Sequence, residues 1–112
     1  MTPRQWTAIR IIDEWLDANV SQEYKDQPLA QDWARVAKEI EEKGESIAEL
    51  ILLSGQNPRK GTHPEAKEQL LKELADRAFT AILGIQHFTK NVNETRRILD
   101  EKLDSILNRV YQ

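Results

Sequence analysis

The chain contains no cysteine, which removes disulfides, thiolate nucleophiles and cysteine-ligated zinc from consideration. It has no basic excess either: the formal net charge is −3, the wrong sign for a protein that grips a nucleic-acid polymer. Small anionic substrates stay open if a cation or a local basic loop offsets that charge. Long hydrophobic runs are missing. The longest uncharged stretch, Ala78 to Thr89, is too short and too polar to span a bilayer. Charges recur from Met1 to Trp15 with no apolar core followed by small residues, so no signal peptide is expected and a cytoplasmic setting is the default. With four glycines and four prolines in 112 residues, breaks are few, and neither strand-like alternation nor a repeat of fixed period occurs.

What remains is a charged, helix-patterned chain. Charged residues make up 31% and hydrophobic ones 39%, suited to one soluble all-α domain. Thr2 before Pro3 reads as an N-cap with proline at the first helical position, and Trp6, Ile9, Ile12 and Leu16 follow at helical spacing to about Asn19. After a broken stretch to Pro28, the residues Leu29, Trp33, Val36, Ile40, Ile47 and Ile51 form the apolar stripe of a second, long helix. Residues 54–63 are dense in turn formers. Thr62 or His63 is expected to cap a third helix, with Pro64 at its first position and Leu70, Leu74, Ala78, Ala81 and Ile85 on one face. From Ala78 to Phe88 this helix is apolar on nearly every side, so its second half is expected to be buried. Asn91 or Asn93 opens a fourth helix carrying Ile98, Leu99, Leu103, Ile106, Leu107 and Val110. The expectation is a four- to five-helix bundle around a central antiparallel hairpin. Residues 1–28 form an N-terminal helix and connection, 29–90 the hairpin, and 91–112 the C-terminal helix.

Two acidic pairs stand out on the hairpin: Glu42 with Glu45, and Glu73 with Asp76, each three residues apart. Carboxylates at i and i+3 share a helix face. Counted from the expected turn at about 1.5 Å per residue, Glu45 and Glu73 fall at matching heights, and Glu42 and Asp76 do so one turn further. An antiparallel hairpin therefore gathers four carboxylates. Two such charges about 5 Å apart repel by roughly 3 kcal/mol at an effective dielectric near 20. Mg²⁺, a hard cation that takes oxygen ligands and keeps positions for water and phosphate, is the natural remedy. Taken alone, the charge run from Lys38 to Glu45 is an ordinary solvated helix face. The matched heights argue for more.

Residues Trp33 to Phe88 resemble the MazG-like family of all-α nucleoside triphosphate pyrophosphohydrolases. The resemblance rests on Glu42-x-x-Glu45 followed by Glu73-x-x-Asp76. Around them stand Trp33-Ala-Arg35 with Lys38, the loop Gly55-Gln-Asn57-Pro-Arg59-Lys60-Gly61, Glu73-Leu-Ala-Asp76 and Ala81-Ile-Leu83. It implies a helical bundle working as a homodimer or homotetramer. It also implies Mg²⁺-dependent (or Mn²⁺-dependent) cleavage of a nucleoside triphosphate between the α and β phosphates. Glu42, Glu45, Glu73 and Asp76 would ligate the metal, and Glu41 would support the site or orient the attacking water. One departure is Arg77, where relatives carry an aliphatic residue. At i+4 from Glu73 it would pair with that carboxylate and compete with metal, or else contact a phosphate.

Further candidates for substrate binding are Asn57, Arg59 and Lys60 in the loop, and Lys38, either a counter-charge for pyrophosphate or a plain partner of Glu41. Lys102 and Arg109, two turns apart on the fourth helix, could reach a neighbouring site or simply be solvated. Trp33 either stacks on a base or packs on the core stripe, while Trp6 and Trp15 belong to the core or a subunit interface. His63 and His87 lack metal-ligand spacing with each other. A second function class is kept beside the enzyme: a non-enzymatic helical oligomerisation module with a degenerate metal site, which Arg77 favours.

Overall fold

The computed structural model describes all 112 residues and contains four α-helices, one short 3₁₀ helix and no strand. Helix α1 spans Pro3–Ala18, α2 Pro28–Ser54, α3 Ala66–Thr89 and α4 Val92–Val110; the 3₁₀ turn is Gln22–Tyr24. No helix is long and apolar enough to cross a membrane. The chain divides into two compact units.

The first unit comprises residues 1–26 and 82–112. Its α1 starts on a reciprocal capping box: the Gln5 amide donates to Thr2 Oγ1, and the Thr2 amide to Gln5 Oε1 at 2.8 Å. Two otherwise orphaned N–H groups are satisfied in this way. Trp6, Ile9 and Asp13 form its buried face. Asp13 is only 1% exposed, and its charge is met by Lys90, whose ammonium lies 2.9 Å from Asp13 Oδ2 and 2.6 Å from Asp17 Oδ2. Lys90 sits directly after α3 with φ 52, in the left-handed region that ends many helices. Asn91 caps α4, its Oδ1 accepting from the Glu94 amide at 2.9 Å. A polar chain ties this corner together. The Asn91 amide donates to Thr89 Oγ1, which pairs at 2.7 Å with Thr95 Oγ1, and that hydroxyl donates to Gln86 Oε1 at 2.7 Å. Gln86 and Thr95 are essentially fully buried.

The second unit, residues 27–81, is a helical hairpin. Gly55 ends α2 at φ 71 with its amide bonded to Ile51 O. A side chain there would be strained by that positive φ and would press on the Thr62 hydroxyl. The return strand of the loop is pinned by the His63 amide, which donates to Leu52 O at 2.9 Å. The side chain of His63 reaches Lys60 O and Glu65 Oε1. Those contacts hold its imidazolium above the usual histidine range, the carbonyl acting first and the carboxylate second.

Two sequence expectations are corrected here. Helix α3 begins at Ala66 rather than at Pro64, and neither Thr62 nor His63 caps it. The amides of Ala66 and Lys67 reach back only three residues, to His63 and Pro64, a tight turn that delays regular helical bonding. The apolar stripe of α2 is also not a core stripe within this chain: Leu29, Trp33 and Ile40 are each more than two-thirds exposed, and Val36, Ile47 and Ile51 are open as well. The sheltered side of α2 is instead Asp32, Arg35, Glu39, Glu42, Ser46, Glu49 and Leu53. That series also recurs at helical period, so a second face competes with the apolar one for burial. Nor is Ala78 to Phe88 uniformly buried, since Phe79 and Phe88 stand out in solvent while Gln86 is the residue shielded.

Because Asp13 is fully enclosed, removing the Lys90 ammonium takes a charged partner from a buried carboxylate. Lys90→Met is therefore expected to cost about 3 kcal/mol of stability, read by urea or thermal unfolding, whereas the exposed pair Arg10–Glu14 contributes under about 1 kcal/mol when broken by Glu14→Gln.

Candidate metal centre

The hairpin of the second unit runs antiparallel, with Leu52 against His63, Glu45 against Glu73 and Glu39 against Arg77. That register brings the acidic pairs into one cluster. Ligand oxygens of Glu42, Glu73 and Asp76 lie within 4.8 Å of one another. Glu45 stands beside them; its interaction with the Glu73 carboxylate first, and the charge of Glu42 second, hold the Glu45 carboxyl above its ordinary range. Glu42 is 8% exposed, Glu73 half-buried, and Glu45 and Asp76 open to solvent.

Individual oxygens show how incompletely these charges are met. Glu42 Oε1 lies 3.2 Å from the Lys38 ammonium, and Glu73 Oε1 accepts from Gln69 Nε2 at 2.8 Å. Glu42 Oε2 and Glu73 Oε2 are shielded from solvent and have no hydrogen-bond partner. A buried acceptor without a partner carries its full desolvation cost. Two such oxygens, with Asp76 beside them, make a donor set of the kind a hard divalent cation takes. The residues present therefore fit a metal ion.

The other sequence candidates occupy distinct places. Glu41 is exposed and holds Lys38 at 3.1 Å. Arg77 does not turn to Glu73: its guanidinium reaches Glu39 Oε1 at 3.3 Å and Ser46 Oγ at 3.4 Å across the hairpin. Trp33 lies nine residues before Glu42, about 180° away on the same helix, and points to the exposed side. Asn57 shapes the loop, its Oδ1 accepting from the Arg59 amide and its carbonyl from Lys60 and Gly61. Arg59 and Lys60 are exposed at the turn, roughly 15 Å along α2 from Glu45 by helical rise. Lys102 and Arg109 are exposed on α4, in the first unit.

Several residues escaped the sequence reading. Gln69 and Glu73 are four apart, and Glu39, Glu42 and Ser46 share one stripe, so both relations were available from helical spacing alone. The group Asp13, Asp17 and His87 in the first unit also brings ligand atoms within 4.8 Å, but Lys90 already bridges its carboxylates. Its one sequence signal is Asp13 falling on the stripe of Trp6 and Ile9. Comparison of the chain with family models, with curated proteins and with solved structures finds no match.

The raised Glu45 carboxyl has a definite pH consequence. The protonated form is favoured by the fold, so its stabilising contribution is complete below the ordinary value near 4.5 and is lost as pH rises through the raised folded value. The melting temperature of metal-stripped protein is thus expected to decline from pH 4.5 towards neutrality, and Glu45→Gln, followed by calorimetry over the same range, to flatten that decline.

Proposed function

We propose that this protein is a Mg²⁺-dependent nucleotide pyrophosphohydrolase of the MazG-like kind, cleaving an NTP or dNTP between its α and β phosphates to a nucleoside monophosphate and pyrophosphate. The observation that carries the proposal is the pair of shielded, unpartnered oxygens on Glu42 and Glu73 beside Asp76. Glu42, Glu45, Glu73 and Asp76 would hold the ion, Mg²⁺ or Mn²⁺. When bound, it supplies Lewis acidity to a phosphoryl oxygen and lowers the pKa of water. The chain's own groups do the rest. Gln69 fixes the orientation of Glu73 through Oε1. Arg77, anchored on Glu39, holds α2 and α3 in the register that gathers the acids and leaves Glu73 uncontested. Lys38, with Arg59 and Lys60 at the turn, supplies positive charge for an anionic substrate.

The expected outcome is pyrophosphate release from at least one member of a nucleotide panel, abolished by chelator and reduced at least about 100-fold by Glu45→Gln or Asp76→Asn, on the scale of losing a major electrostatic contribution. The same protein should melt higher in millimolar Mg²⁺, since an ion bound only by the native state adds RT ln(1+[L]/Kd). Full activity in both variants would remove the site.

The second reading, a helical oligomerisation module without chemistry, draws on the open apolar face of α2. That face supports self-association under either reading. Leu29, Trp33, Val36 and Ile40 are each at least half exposed, and each contributes about 1–2 kcal/mol when covered. A homodimer or homotetramer is expected by light scattering, and Ile40→Glu is expected to shift it towards monomer. Assembly together with a Mg²⁺-independent melt and no pyrophosphate release favours the module.

A further inference from the structure

Lys38 stands between two acids of very different exposure. Its ammonium lies 3.2 Å from Oε1 of Glu42, whose side chain is 10% exposed, and 3.1 Å from Oε1 of Glu41, whose side chain is 61% exposed. Lys38 itself is 47% exposed, so the ammonium keeps room to move. The Glu42 side chain is nine-tenths buried, its second oxygen has no partner, and it offers a ligand atom within reach of Glu73 and Asp76. An ion gathered by those carboxylates would share Glu42 with the ammonium. Two cations against one carboxylate repel, the more so with little solvent between them.

We propose that Lys38 is an internal counter-ion for Glu42 that a divalent cation displaces, and that Glu41 is the acceptor onto which the ammonium withdraws when the ion enters. This rests on the metal-binding reading of the acidic quartet. It assigns Glu41 a place in ion exchange: with one acceptor always at hand, the lysine gives up Glu42 without losing its only ion pair. The arrangement keeps the cluster tolerable before metal arrives, and it makes the site selective for charge. A monovalent ion gains little over the ammonium already present, whereas a divalent ion binds three or four carboxylates at once.

The test measures Mg²⁺ binding by the full chain, using calorimetric titration and thermal melts, in the wild type, Lys38→Met, Lys38→Gln, Glu41→Gln and the Lys38→Met/Glu41→Gln double variant. Removing the competing ammonium is expected to lower the half-saturating Mg²⁺ concentration by about three- to tenfold in both Lys38 variants, while lowering the melting temperature of the metal-free protein. Glu41→Gln, which leaves the ammonium only solvent to withdraw into, is expected to raise half-saturation by a smaller factor. In the Lys38→Met background it should have almost no effect, a non-additivity that a simple loss of negative charge does not produce. Unchanged or weaker Mg²⁺ binding in both Lys38 variants overturns the proposal and makes Lys38 an anchor that positions Glu42. A Glu41→Gln effect equally large without Lys38 overturns it too. If the wild type itself shows no saturable Mg²⁺ binding by either method, the metal reading falls and this inference falls with it. If the wild type binds and only the variants disobey, the site stands and the exchange does not.

Discussion

The hairpin closes on its charged side, and the rest of the second unit follows from that. In α2 the sheltered series runs Asp32, Arg35, Glu39, Glu42, Ser46 and Glu49, and α3 answers with Leu70, Glu73, Arg77 and Thr80. Such a seam has little apolar burial to hold it. Across it Arg77 of α3 reaches Glu39 and Ser46 of α2, while Gln69 with Glu73 and Lys38 with Glu42 are pairs one turn apart within a single helix that orient the acids. Burial of ionic groups stabilises weakly at best and is costly when a charge is left alone. Acid exceeds base at this seam.

Turning the acids inward fixes what α2 shows to solvent. Leu29, Trp33, Val36 and Ile40 lie on the opposite side and are exposed. An apolar patch of several bulky side chains in a row is seldom left bare. The two faces of α2 thus differ in kind, one sheltered and charged, the other apolar and exposed. Arg77 lies on the charged seam, where Glu39 and Ser46 accept its donors.

Much of this was legible in the sequence because it is local. Caps at Thr2 and Asn91, the stop at Gly55, the length of α2 and the matched heights of the acidic pairs all depend on spacing along one or two helices. Which face of α2 turns inward was not legible. Ile40 and Glu42 lie on stripes of equal periodicity, and hydrophobicity favours the first as the core face; the choice depends on what covers each stripe, which no single helix encodes. The late start of α3 at Ala66 depends on the tight turns from His63 and Pro64. The buried chain from Asn91 through Thr89 and Thr95 to Gln86 is likewise a matter of side-chain hydroxyl geometry. A composition-based reading of residues 78–88 sees only an apolar helix and passes over the one glutamine at its centre.

The two units meet the same electrostatic problem in different ways. In the first, Asp13 and Asp17 share one ammonium, that of Lys90, at 2.9 and 2.6 Å; the carboxylates are bridged from within, and a metal ion there would have to evict a lysine that anchors α1 to the end of α3. In the second, Lys38 reaches one oxygen of Glu42 and Gln69 one oxygen of Glu73, while two shielded oxygens stay unpartnered. A fold selected for stability alone has a ready remedy, the one used at Lys90. Its incomplete use at the cluster, where Glu42, Glu73 and Asp76 bring carboxylate oxygens within 4.8 Å of one another, leaves two shielded oxygens without a partner. Polar demand is thus left unmet where the two acidic pairs converge, and met at Lys90.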